Sequence, residues 1–261
     1  MTNALAWIGP AGLGLAAGAS LAFAVWLASL RLRDVSIVDA AWSFLVWLPA
    51  AVATTAAPEV GPRAWLVMGL ALAWALRLAV HIARRQRGQP EDARYRAIRA
   101  RNEPHFEWKS LVLVFALQAV LGWIVGAPLV AASASGSPWH ALDAPGLALM
   151  ALGIGFEAIA DAQLARFKAD PAQKGRVLAT GLWRYSRHPN YFGECCVWWG
   201  AWLVAAAAGA AWTIVSPLVM TVLLLRVSGV ALLEKDIGER RPAYADYIRR
   251  TNAFVPGPPR P

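Results

Sequence analysis

The 261-residue chain has little of what most site chemistries use. Its two cysteines, Cys195 and Cys196, are adjacent, a spacing that suits neither a disulfide framework nor a metal site, so both read as packed thiols. The four histidines, His81, His105, His140 and His188, form no HExxH or other paired spacing, and no metal is expected. Gly12-Leu13-Gly14 follows no strand, which removes a Rossmann fingerprint. No Gly/Ser linker, charge-run boundary or repeat divides the chain, so a single domain over 1–261 is the economical reading. No Lys or Arg precedes Arg31, which argues against a secretory signal.

Charge is scarce as well: 16% of residues are charged and 58% hydrophobic, a balance foreign to soluble domains. Apolar runs recur at 11–30, 35–57, 64–82, 111–131, 145–164, 195–208 and 211–233. Most reach the roughly 20 residues that cross a bilayer. The expectation is an all-α polytopic membrane protein with seven transmembrane helices. An outside N-terminus puts 22 of the 25 Lys and Arg into the inside segments 31–34, 83–110, 165–190 and 234–261. Arg63 alone falls outside, while Arg77 and Arg226 lie within spans. By the positive-inside rule the C-terminus is cytoplasmic. The net charge of +9 then reflects arginines facing anionic headgroups and calls for no nucleic acid. A bacterial inner-membrane location and a monomer are expected, with the polar investment facing the cytoplasm. The outside loops, 133–140 and Gly209-Ala210, offer no chemistry.

Of the cytoplasmic segments, 83–109 carries a helix start at Gln89-Pro90-Glu91-Asp92. The segment 166–190 turns repeatedly at Asp170-Pro171, Lys174-Gly175 and Gly181. The last, 234–261, reads as a short helix with Pro242 near its start, followed by a Pro-rich tail.

Chemistry concentrates in Gly181-Leu182-Trp183-Arg184-Tyr185-Ser186-Arg187-His188-Pro189-Asn190-Tyr191-Phe192-Gly193-Glu194, a polar cluster at the mouth of a span. Ionisable residues within spans cost roughly 2.5–3.5 kcal/mol each on insertion scales unless they are used. Asp39, Arg77, Glu157, Asp161, Glu194 and Arg226 are such residues, with Gln118 as a neutral companion. Glu157 and Asp161, spaced i, i+4, share one helix face and need cations or donors; Arg77 and Arg226 are the natural candidates. Interhelical salt bridges explain any single pair. The whole set points to a water-accessible cavity for a charged cofactor, beside arginines whose forks match phosphate oxygens. His188 suits a donor to that cofactor, a proton shuttle or a loop cap.

These residues resemble a known superfamily. Trp183 to Glu194 followed by a Trp-rich span is similar to the C-terminal signature of steroid 5-alpha-reductases and the bacterial membrane proteins related to them. Gly153-Ile154-Gly155-Phe156-Glu157 with Asp161, then Arg226, Tyr244-Ala245-Asp246-Tyr247 and Phe254-Val255-Pro256, fall in the family's order and spacing. Val38-Asp39-Ala40-Ala41-Trp42 and Arg94-Tyr95 look like the bacterial branch. The signature is concentrated in 153–261.

The resemblance implies a seven-helix bundle holding NADPH in a cytoplasm-facing cavity, into which a lipid-like enone enters from the bilayer. By position, Glu157, Asp161, Lys168, Arg176, Asn190 and Glu194 would hold the cofactor. Arg77 and Arg226 would lie nearby, and Tyr185, Arg187 and His188 would complete the collar. Trp42 and Trp198 would line the substrate, a 3-oxo-delta4 steroid or related isoprenoid. The implied reaction is conjugate reduction, with a donor polarising the carbonyl oxygen. The family's ketone-polarising Glu and Tyr are missing here: the Tyr position is Trp74, which cannot release a proton, and the nearest carboxyl is Asp39. A neutral Asp39 acting as acid donor is the expected substitute. The rival enzyme is an S-adenosylmethionine-dependent methyltransferase resembling isoprenylcysteine carboxyl methyltransferase, which shares an Arg-His-Pro-x-Tyr-x-Gly element and to which Glu234 could belong. A non-catalytic lipid-binding membrane protein is the third reading.

Overall fold

The computed structural model describes residues 8–57, 60–227, 229, 230, 234 and 243–260. All regular structure among them is helical. Five helices are long and apolar enough to cross a membrane: Gly9–Leu32, Ile37–Thr55, Pro62–Gln86, Phe106–Val125 and Asp143–Ala169. The protein is thus read as an integral membrane protein. The sixth apolar run lies in a 19-residue helix, Pro189–Ala207, and the seventh in the shorter apolar stretch Ala211–Val227.

The sequence reads as one domain, and its helices gather into two compact units. The first comprises residues up to Asp143 together with Trp202–Ser216; the second comprises Ala144–Ala201 together with residues from Pro217 on.

In the first unit, helices α1 (Ile8–Leu32), α2 (Ile37–Thr55) and α3 (Pro62–Gln86) are followed by the short α4 (Ala93–Asn102). Then α5 (Phe106–Ser110) runs through a wide π turn, Leu111–Ala116, into α6 (Leu117–Val125), and α7 covers Ala127–Ser133. Helix α2 packs on α1, α3 and α6. Without a hydrophobic drive between helices in lipid, small residues that let backbones touch supply the packing. A Cβ on Gly14 would lie 2.5 Å from the Pro49 carbonyl oxygen, and one on Gly122 would lie 2.6 Å from that of Leu45. Leu45, Val46 and Ala50 are buried at this contact.

The fourth apolar run departs from the expected single span over 111–131. Its helix begins earlier, at Phe106, and ends at Val125. Gly126 and Pro128 explain the break: Gly126 presses against the Val46 carbonyl, and Pro128 suits only the first turn of the next helix.

The expected start of α4 is where the sequence places it. Asp92 is the N-cap, and its side chain accepts from the Arg94 N–H at 2.9 Å.

The second unit contains most of α8 (Asp143–Ala169) and the first part of α9 (Pro189–Ala207), a turn at Gly181–Arg184, a second π turn at Leu223–Val227 and the terminal helix Ala243–Arg250. Pro242, expected near the start of that last helix, lies outside the described residues. Helices α8 and α9 meet backbone to backbone. A Cβ on Gly153 would sit 2.6 Å from the Gly193 carbonyl oxygen, and one on Gly200 would sit 2.6 Å from that of Gly146.

Candidate functional site

That close seam in the second unit sets the position of four polar residues. Gly193 lies against the backbone of Glu157, so the start of α9 is held beside the acidic turn of α8. Glu157, Asp161 and Glu194 are buried, at 2%, 4% and 7% relative exposure. The Asn190 carboxamide donates to Asp161 Oδ1 at 3.1 Å. Phe156 stacks edge-on against Phe192, with ring centroids 5.7 Å apart, and walls one flank of the seam. Trp198 is buried on α9 one turn beyond Glu194.

The turn before α9 is anchored on the same stretch of α8. The Trp183 indole donates to the Ala160 carbonyl at 3.0 Å, and Gln163 Oε1 accepts from the Leu182 N–H at 3.0 Å. Gly181 adopts φ +60° there, a conformation glycine takes without Cβ strain.

Arg187 and His188 are placed differently from expectation. The Arg187 fork binds Glu234 through Nε at 2.7 Å and Nη2 at 2.9 Å, while Nη1 donates to the carbonyls of Ile248 at 3.1 Å and Thr251 at 2.6 Å. His188 Nε2 lies 2.9 Å from Glu234 Oε1, and its ring stacks on Tyr191. The tail is sewn down at further points. Asn252 accepts from the Arg187 N–H, Phe254 accepts from Ser186 Oγ, and the Tyr247 hydroxyl donates to the Trp183 carbonyl. Arg187 and His188, expected in the cofactor collar, thus direct the Arg187 fork and His188 Nε2 to Glu234 and the C-terminal segment. Burial raises the Glu234 carboxyl, but hydrogen bonds from His188 and Arg187 outweigh it and hold the group down at about 2.

Among the remaining expected ligands, Lys168, Arg176 and Arg226 are exposed, and Tyr185 is 43% exposed. The seam supplies carboxylate acceptors and one carboxamide, a set suited to hydroxyl and amide groups. Lys168 and Arg176 are exposed cations suited to phosphates.

The first unit holds its own polar cluster. Asp39 Oδ2 accepts from Arg94 Nη2 at 2.6 Å and Oδ1 from the Tyr95 hydroxyl at 2.6 Å. Gln118 on α6 donates to the same Tyr95 oxygen at 3.1 Å. Asp39 is therefore an acceptor on both oxygens, paired with a permanently charged guanidinium. The expected acid donor, Asp39, thus has both carboxyl oxygens engaged, one by Arg94 and one by Tyr95. Burial, with Asp39 alongside, pushes the Tyr95 phenol well above its ordinary value and keeps it protonated. Trp74 is buried, Trp42 and Arg77 half-buried.

Sequence reasoning missed Tyr95 as the hub of this cluster, although Arg94-Tyr95 follows the N-cap directly. It also dismissed the loop 133–140. There Arg63 pairs with Asp143 through Nε at 2.8 Å and Nη2 at 2.7 Å, and its Nη1 and Nη2 also reach Ser137 and Pro138. Both partners are buried. The lone basic residue of the outside segments was the available signal.

Fold and site together define a helical integral membrane protein with buried polar clusters in each unit. The family model described as "Protein of unknown function (DUF1295)" matches residues 25–251, and the chain belongs to that family. An uncharacterized protein of Schizosaccharomyces pombe is 36% identical over 95 residues, which cover 35% of this chain and 27% of the yeast protein. The match thus spans about a quarter of that relative's length. No solved structure matches.

Proposed function

We propose that this chain is an NADPH-dependent membrane reductase acting on the C=C bond of an enone lipid, a 3-oxo-delta4 steroid or related isoprenoid. The observation that carries the reading is the α8–α9 seam, where Asn190 meets Asp161 beside the buried Glu157 and Glu194. Acceptors of that kind would bind ribose hydroxyls and a carboxamide, and Lys168 and Arg176 would pair with phosphates. When bound, NADPH supplies the hydride for the β carbon of the enone. The protein's own part is to orient the reactants and keep water out. The similarity to steroid 5-alpha-reductases points the same way. Under this proposal the chain has seven spans, counting α9 and Ala211–Val227, with a cytoplasmic C-terminus in a bacterial inner membrane. The charge distribution supports that orientation.

One observation favours a second reading. Arg187 and His188 of the Arg-His-Pro element join Glu234, the combination expected of an S-adenosylmethionine-dependent methyltransferase. Thermal unfolding of the detergent-purified chain with each cofactor separates the two. Stabilisation by NADPH is expected; stabilisation by S-adenosylmethionine alone overturns the reductase. Binding of NADPH without reduction of any enone across a broad panel would instead favour a lipid-binding role.

A further inference from the structure

A cleft in the first unit lies where two candidate spans meet the polar region, at the end of Gly9–Leu32 and the start of Phe106–Val125. It is lined by Ser29, Leu30, Arg33, Arg99, Glu107 and Trp108, among others, and encloses about 440 Å³. That volume is within the range of small-molecule sites, roughly 300–1,000 Å³. The walls are braced. Trp26 donates its indole N–H to the Glu107 carbonyl at 2.9 Å, and its ring lies 5.5 Å from that of Trp108. Ser29 and Ser110 are buried, with their hydroxyls turned to the carbonyls of Trp26 and Glu107.

Three charged residues, Arg33, Arg99 and Glu107, line the cleft. Arg99 is matched by Glu91, which accepts from its Nε at 3.1 Å and its Nη2 at 2.8 Å, and its guanidinium lies over the Phe106 ring. That pair contributes no net charge. Arg33 is exposed, terminates α1 at φ +54°, and has no ion-pair partner among the described residues. Glu107, exposed at the start of Phe106–Val125, also lines the cleft, and its charge acts on Arg99 as well. Beyond the Arg99–Glu91 pair, the lining thus carries one further guanidinium residue, Arg33, and one further carboxylate residue, Glu107, with Trp108 among its aromatic members.

We propose that this cleft binds the headgroup of a phosphatidylethanolamine lipid, with the phosphodiester on Arg33 and the ammonium on Glu107. A purely anionic headgroup would satisfy Arg33 but face Glu107. A trimethylammonium headgroup could lie on Trp108 but has no N–H to donate to the carboxylate. Exposed Phe23 and Leu27 on α1 provide an apolar track for acyl chains, and Trp108, 65% exposed, is of the type that settles at the headgroup level. A free phosphoethanolamine carries the same polar chemistry without the chains; the track argues for the lipid. This site is independent of the reductase reading.

The test is a native mass-spectrometric titration of the full detergent-purified chain with phosphatidylethanolamine, phosphatidylglycerol and phosphatidylcholine of equal chain length. Phosphatidylethanolamine is expected to bind about tenfold more tightly than either, the effect of one charge-assisted contact. Arg33→Asn, whose side chain tolerates a positive φ, should weaken binding of all three lipids. Glu107→Gln should erase the preference over phosphatidylcholine and leave phosphatidylglycerol unharmed, which keeps the test informative if the first variant folds poorly. Equal affinities for the three lipids, or no response to Glu107→Gln, overturn the proposal. Soluble phosphoethanolamine binding as tightly as the lipid would overturn the assignment to a lipid.

Discussion

Within the second unit, the turn at 183–188 and the α8–α9 seam carry a similar density of polar side chains. On the turn, Arg187 engages a carboxylate and two carbonyls, and His188 shares that carboxylate. On the seam, Glu157, Asp161 and Glu194 are buried, Asn190 donates to Asp161, and glycines hold the helix backbones in contact. The turn has a complementary cation for its anion and closes on itself. The seam gathers three buried carboxyl groups and a carboxamide, group types that can bind hydroxyls and amides. Sequence polarity alone does not separate these cases; substitutions in each region do.

Breaking the turn should produce the largest effect. Arg187→Ala removes the fork and leaves Glu234 half-buried without its main cation, with an expected loss of about 3 kcal/mol. Thermal or denaturant unfolding of the purified chain in detergent measures it. If the turn is purely structural, protein that remains folded should keep its NADPH affinity. A selective loss of affinity with unchanged stability would return Arg187 to the ligand site.

The same network predicts a pH dependence. The Glu234 carboxyl sits at about 2 in the folded protein, below its ordinary value of 4.5. A depressed carboxylate contributes stability that is complete above the ordinary value and is lost as pH falls through the folded one. The stability gap between the wild type and Glu234→Gln should thus be constant from about pH 6 upward and narrow between 4.5 and about 2. A gap that instead changed between neutral and mildly alkaline pH would assign the titration to another group.

The seam should respond to bulk more than to charge. A side chain at Gly153 meets the Gly193 carbonyl and the Val197 N–H, both backbone atoms that cannot rotate away. Gly153→Val should therefore force α8 and α9 apart at a cost of about 1–3 kcal/mol, read as a lower unfolding temperature. Gly155, where an added Cβ meets nothing within 4 Å, is the matched control, and Gly155→Ala should leave stability nearly unchanged.

How much of this was legible in the chain depends on the range of the interaction. The five long spans follow from local composition, and the start of α4 follows from Asp92, because apolar runs and caps are encoded within a few residues. The partners of Asp39 and Arg187 lie 55 and 47 residues away, a separation no periodicity reports. For the same reason, Arg63 looked idle until the chain brought Asp143 to it across 80 residues. The break after Val125 is partly of this class: Pro128 is a local signal, whereas the close approach of Gly126 to the Val46 carbonyl is not. Residue types could be read from the sequence, whereas the saturation of each polar group emerged only from the fold.

The smallest expected change in stability is the one that most directly separates the two regions. Asp161→Asn keeps an oxygen to accept from Asn190 and alters no packing, so unfolding should shift by less than about 1 kcal/mol. What it removes is the charge that strengthens a hydrogen bond from a ribose hydroxyl. NADPH affinity should accordingly fall about tenfold, measured by cofactor fluorescence or thermal-shift titration. Paired with Arg187→Ala, this gives opposite signatures: stability lost with binding retained on the turn, and binding lost with stability retained on the seam. If Asp161→Asn left NADPH affinity unchanged in a stable protein, the carboxylates on the seam would have to be a feature of helix packing, and the reductase proposal would lose the observation that carries it.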